Sequence, residues 1–168
     1  MKWRYLVTIL VLIFLAGSFF LTAQIWVPAR HFLAAVLPSL VVDYANLDRV
    51  AERKLPLQTN ALLTQAAQLK AEDMARQSYF SHEGPNGETP WLWLDQVGYS
   101  YVYAGENLAL NFSDSGEVNQ AWLNSLQHRA NIMNKNFTDI GVGSATGQFE
   151  GRASVFIVEF FGSTQLPK

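Results

Sequence analysis

The chain has 168 residues, 49% of them apolar, with a formal net charge of −2 and a pI near 5.9. That balance provides no basic footprint for nucleic acid. The absence of cysteine excludes disulfides, a thiolate nucleophile, thiolate metal sites and lipoprotein-type anchoring through an N-terminal cysteine.

Lys2 and Arg4 precede a run from Tyr5 to Trp26 that carries no charge. As a helix, those roughly 22 residues would reach about 33 Å, enough to cross a bilayer. Residues 1–27 therefore read as a transmembrane anchor or uncleaved signal. Ala16-Gly17-Ser18 offers a small-residue cleavage site, which keeps secretion after cleavage as the alternative. The apolar run nevertheless continues through "FFLTAQIWV", whereas a signal core usually stops at about 7 to 15 residues. Lys2 and Arg4 before the run, against Arg30 alone after it, place the N-terminus inside and the following domain outside the cytoplasmic membrane. Residues 28–43 read as a juxtamembrane linker. In it Pro28 and Pro38 bracket "ARHFLAAVL", too short to span again and suited to an interfacial helix or a lead-in packed on the domain. His31 reads there as a surface histidine.

Residues 44–168 remain, roughly 125 in number, enough for one domain with its own core. Leu40, Tyr44, Leu47 and Val50/Ala51 recur at helical spacing until "KLPL" breaks the pattern. Asn46 and Arg49 share a face of that helix and would tie it to loops. A second helix is predicted from about Asn60 to Ser78, with Leu63, Ala67, Ala71 and Met74 as its buried stripe. "EGPNGE" is turn chemistry. Thr89 is expected to cap a short helix, with Pro90 at its first position and Gly98 at its end. "YSYVYAGENLALNF" reads as strand or extended loop. Asp114 and Glu117 resemble a capping box for a helix burying Val118, Ala121, Trp122 and Ser125. Asp139–Ala145 and Ala153–Phe161 read as strands of an antiparallel hairpin turned at "GQFEG"; the second, apolar on both faces, belongs under two layers. Helices first and doubly covered strands last predict an α+β fold, an α-β-α sandwich.

The chemistry gathers between Ser78 and Asn134. His82, Glu106 and His128 can converge there on one ion or polar ligand. Two imidazoles and a carboxylate are a known zinc set with the fourth position left to water, although their spacing is no local motif. The competing arrangement has both histidines hydrogen-bonding to Glu106 across the cleft without an ion, with Glu106 favouring imidazolium. Arg129 is expected to pair with Glu159, since a buried unpaired charge is costly, or else to bind an anion. Ser81 and Ser125 lack a GxSxG setting, which argues against serine hydrolysis. Tyr79, Phe80, Trp91, Trp93, Tyr99, Tyr101 and Tyr103 read mainly as core, with a lipid or glycan groove as the alternative.

Taken together, Asn46 and Arg49, "AEDMA", "FSH", "AGENLA", "AWLNS", "HRANIM", "FTDIGVG" and "VEFFG" resemble the CAP superfamily, in particular its cysteine-free bacterial branch of SCP-domain proteins. The resemblance runs from about Tyr44 to Gly162. It implies a three-layer α-β-α sandwich on a small, three-stranded antiparallel sheet, here preceded by the transmembrane helix. It also implies a cleft holding, in many members, two histidines and two glutamates. His82, Glu106 and His128 match three of these; the second glutamate is replaced in the Asn124-Ser125 stretch. Asn107, Ser125, Arg129 and Glu159 fall around the same cleft. The implied function is a membrane-anchored extracytoplasmic module for a lipid, glycan or protein ligand, with zinc or another divalent metal as the expected cofactor. The alternative is a zinc-dependent hydrolase with Glu106 as candidate catalytic base; a third reading is an envelope protein whose cleft is vestigial.

Overall fold

The computed structural model describes residues 36–165. The predicted anchor and the first half of the linker, with His31, lie outside that range. No helix among the described residues is long and apolar enough to cross a membrane.

The sheet is built around the strand that the sequence marked as doubly covered. β4 (Arg152–Ser163) pairs antiparallel with β3 (Asp139–Phe149) on one side and with β2 (Tyr103–Leu110) on the other. A two-residue β1 (Gln58–Thr59) adds a parallel pairing to β3, giving the order β1-β3-β4-β2. The sheet is thus four-stranded and mixed, not the small antiparallel sheet expected. β1 is too short to announce itself by alternation. The β3–β4 turn at Glu150-Gly151 has positive φ at both residues, the geometry that matches the twist of a tight hairpin.

Among the described residues, five helices cover the two faces. They are α1 (Pro38–Ala51), α2 (Ala61–Gln77), α3 (Trp91–Gln96), α4 (Ser115–Asn124) and α5 (Leu126–Ile132). Phe156, Val158 and Phe160 of β4 enter one core with Leu63, Ala67, Ala71 and Met74 of α2 and Leu94 of α3. Ile157 and Phe161 enter the other, with Val41, Val42 and Ala45 of α1, Val118 and Trp122 of α4 and Ile132 of α5. Each fully buried side chain of this size contributes about 1.5–3 kcal/mol. The period of two along β4 therefore makes the α-β-α layering. Gly141 and Gly143 let α2 lie directly on β3: a Cβ on either would strike the backbone of α2, at Leu63–Thr64 and at Ala67–Gln68 respectively.

The predicted Asp114 cap is present, and α2 carries a further one at Asn60. The Asn60 side chain accepts hydrogen bonds from the amides of Leu62 and Leu63, and Asp114 accepts from those of Gly116 and Glu117. Two local expectations are corrected. Thr89 makes no side-chain cap; Pro90 occupies the cap position of α3 with helical dihedrals, which begins the helix one residue later. In α4 the buried partners of Val118 and Trp122 are Ser115 and Asn119, while Ala121 and Ser125 are only half-buried. On α1 the stripe that revealed the helix is its outer face. Leu40, Tyr44, Leu47 and Val50 are 38–65% exposed, and the core takes Val41, Val42, Ala45 and Arg49.

Candidate functional site

β2 is an edge strand, so residues from both helical layers approach it. Glu106 and Leu108 face the α2–α3 layer; Asn107 and Ala109 face the α1–α4–α5 layer. This alternation divides the sequence-predicted cleft into two halves that share one strand.

In the first half, Glu106 is 6% exposed and meets His82, whose Nδ1 lies 2.5 Å from Glu106 Oε2. His82 sits on the loop after α2 with an exposed side chain. A third group was not foreseen. Lys70, fully buried in α2, brings its Nζ within 4.0 Å of Glu106 Oε1 and donates to the His82 carbonyl at 2.6 Å. The same ammonium lies 5.5 Å from the ring centroid of Tyr79, and the Tyr79 hydroxyl donates to Asp73. The hydrogen bond that His82 makes to Glu106 raises the His82 pKa. Burial raises that of Glu106, opposed by His82 and Lys70, and burial lowers that of Lys70, opposed by Glu106. Glu106 Oε1 has no hydrogen-bond partner. The carboxylate is thus held between an imidazole and an ammonium.

The second half is a buried amide–carboxyl network. Asn107 Nδ2 donates to Glu159 Oε2 at 2.9 Å and to the His128 carbonyl at 3.2 Å. Asn131 Nδ2 donates to Asn107 Oδ1 and to the Glu106 carbonyl, both at 2.9 Å. Burial pushes Glu159 up to about 8, and its Oε1 has no partner. Glu159 does not pair with Arg129, as the sequence led us to expect. Arg129 points away from the core and donates to Glu52 at 2.9 Å, because the space beneath Asn107 is filled by neutral amides. Ser125 joins α4 to α5 and makes no side-chain cap. Asn46 and Arg49 do tie α1 to loops. Asn46 exchanges two hydrogen bonds with the Leu57 backbone; Arg49 donates to the carbonyls of Leu55, Ile132 and Asn134.

His128 lies in α5, half-buried, with a pKa lowered by burial and by the positive charge of His82. It does not complete a ligand set with the other two. Among the described residues no group of three His, Asp or Glu side chains stands close enough to share an ion. Glu106 Oε2 already engages His82 Nδ1, and the charge nearest Oε1 is the Lys70 ammonium, which repels a metal. The donor set as arranged does not fit a three-ligand zinc site. Lys70 was legible in "AQLKAED" only as one helical lysine; its inward direction follows from its position one turn before Met74 and three residues after Ala67 on the buried face. Of the aromatic residues, Trp93 and Tyr99 are core, Tyr79, Phe80, Trp91 and Tyr103 pack partly buried against it, and Tyr101 is exposed beside Trp91.

Comparison with known proteins gives a consistent placement. The profile of the cysteine-rich secretory protein family, CAP, matches residues 42–160. The uncharacterized protein YkwD of Bacillus subtilis (strain 168) is 38% identical over 122 residues, covering 73% of this chain and 46% of the relative. The uncharacterized membrane protein YlbC of the same organism is 31% identical over 103 residues, covering 61% and 30%. The chain thus spans less than half the length of these curated relatives. Among solved structures, an extracellular protein containing an SCP domain from Bacillus anthracis matches with a TM-score of 0.64 at 29% identity, covering 74% of this chain and 39% of that one. An outer surface protein of Borrelia burgdorferi shares the fold, with a TM-score of 0.62 at 21% identity over 74% and 90%.

Proposed function

Because the chain belongs to the cysteine-rich secretory protein (CAP) family, we propose that its domain is an extracytoplasmic binding module, anchored by the N-terminal apolar run, whose cleft works with a built-in cation instead of a metal. The observation that carries this reading is the Lys70–Glu106–His82 contact. Glu106 takes His82 Nδ1, so the imidazolium form is favoured and Nε2 is the ring nitrogen left for a ligand. An exposed imidazolium held by a buried carboxylate donates to a carboxylate, phosphate or hydroxyl acceptor on a lipid, glycan or protein. The names of YlbC, a membrane protein, and of the extracellular Bacillus anthracis protein support display at or beyond a membrane. Among the described residues no three His, Asp or Glu side chains stand together, which favours the metal-free reading over zinc-dependent hydrolysis.

The test is a calorimetric zinc titration of the chelator-stripped full chain at about pH 7.5, with His82→Ala and His128→Ala alongside. The expected result is no saturable one-to-one binding that depends on these histidines. One-to-one binding abolished in both variants would replace this reading with a metal site. Protease accessibility of the domain in intact cells tests its placement; full protection would place it inside.

A further inference from the structure

A second site lies away from this cleft, where the end of α1 meets the start of β3 and the end of β4. A cavity of about 820 Å³ is lined there by Arg49, Arg53, Lys54 and Lys135, with Asp139 as its carboxylate. Asp139 is already engaged, accepting from the Tyr99 hydroxyl at 2.7 Å. None of the four cations has a carboxylate within ion-pair distance among the described residues. In a chain of net charge −2, four cations around one committed carboxylate are a local excess that the composition does not predict.

Arg49 is the informative member. It is 2% exposed, and its hydrogen bonds go to three neutral carbonyls, those of Leu55 at 2.8 Å, Ile132 at 2.7 Å and Asn134 at 2.9 Å. These bonds use Nε–H and both Nη1–H donors and fix the guanidinium, but they leave a desolvated charge without a counter-ion. Arg53 and Lys54 follow the C-terminal end of α1, whose negative half-charge accounts for part of their placement. Lys135 likewise stands three residues past the end of α5, so cations from two helix ends meet at one cavity. Arg53 also adopts a left-handed backbone, φ 57°, a conformation that a non-glycine residue enters at a cost. On the rim, Leu55 is 83% exposed.

We propose that this cavity binds a phosphate group carried on a larger molecule. A single carboxylate would be over-matched by one buried and three peripheral cations. A phosphate, with up to two charges and several acceptor oxygens, uses both the planar guanidinium forks and the lysine point charges. The volume exceeds that of a bare phosphate, and the exposed Leu55 offers an apolar edge to the carrier. The carrier is either a phospholipid headgroup or a free phosphate ester; the recognising chemistry is the same.

The test uses the full chain in neutral maltoside micelles, titrated calorimetrically with glycerol 3-phosphate. Lys54→Glu and Lys135→Glu change a half-buried and an exposed lysine that belong to neither core. Arg152→Glu, at the opposite end of β4, is the charge control. Saturable binding weakened about tenfold or more by each of the first two, and less than about twofold by the third, is expected. Phosphatidylglycerol added to the micelles, but not phosphatidylcholine, then competes if the headgroup is the source; absence of competition assigns a free phosphate ester. No saturable binding, or equal weakening by Arg152→Glu, overturns the site.

Discussion

Glu159→Gln isolates a titration that the fold imposes on itself. Glu159 is fully buried in the central strand, with one hydrogen bond from Asn107 and an unpartnered Oε1. Its pKa rises from 4.5 to about 8 because burial penalises the anion more than the Asn107 amide stabilises it. The native state therefore retains a proton that the unfolded chain has released. Stability is complete below pH 4.5 and falls as pH rises through the window up to about 8. The slope is about 1.4 kcal/mol per pH unit, so roughly 3 kcal/mol is lost between about pH 5 and about pH 7.5. Glutamine keeps the shape and cannot ionise. The variant should match the wild type within about 1 kcal/mol near pH 5 and exceed it by roughly 3 kcal/mol near pH 7.5. Urea denaturation followed by tryptophan fluorescence at both pH values measures the difference. His82, whose folded pKa is also raised, adds a stabilisation lost over the same direction of pH, but equally in both proteins. Parallel stability curves from about pH 5 to about pH 8 would refute the neutral, buried carboxyl.

Three further outcomes are expected. In an NMR titration His82 should protonate above the ordinary histidine value and His128 below it, and Glu106→Gln should bring His82 down; an unchanged His82 midpoint would disconnect the pair. Gly143→Ala drives a methyl into the α2 backbone and should cost about 1–3 kcal/mol or more, read as a lowered urea midpoint at unchanged slope; a neutral outcome would mean that α2 does not rest on β3. Lys70→Met removes a buried cation from Glu106 and should destabilise by about 3 kcal/mol at neutral pH, less at about pH 5 where Glu106 can take a proton. An equal loss at both pH values would leave only packing as the role of Lys70.

The layered fold was readable because its signals are periodic. The β4 alternation named a doubly covered strand, and Leu63, Ala67, Ala71 and Met74 named the inner face of α2; both match the two cores. Asp114 announced its helix because a cap is a local bond between neighbours in sequence. What failed was either short or two-sided. β1 has two residues and takes its identity from β3 alone. α1 carries an apolar stripe on each side, and periodicity cannot say which one the sheet receives; Val41, Val42 and Ala45 go inward.

The site divides along the same line. Histidines and glutamates attract notice by their chemistry, so His82, Glu106 and His128 were legible as a set, but a set of residue types is not an arrangement. Alternation along β2 sends Glu106 toward α2 and Asn107 toward α5, so consecutive residues of "GEN" serve different layers. Whatever meets Glu106 must then come from α2 or the loop after it. On α2 the inward positions near that strand include Lys70, which puts an ammonium beside Glu106. The cation beside Glu106 is already present in the chain, covalently tied and out of reach of chelators.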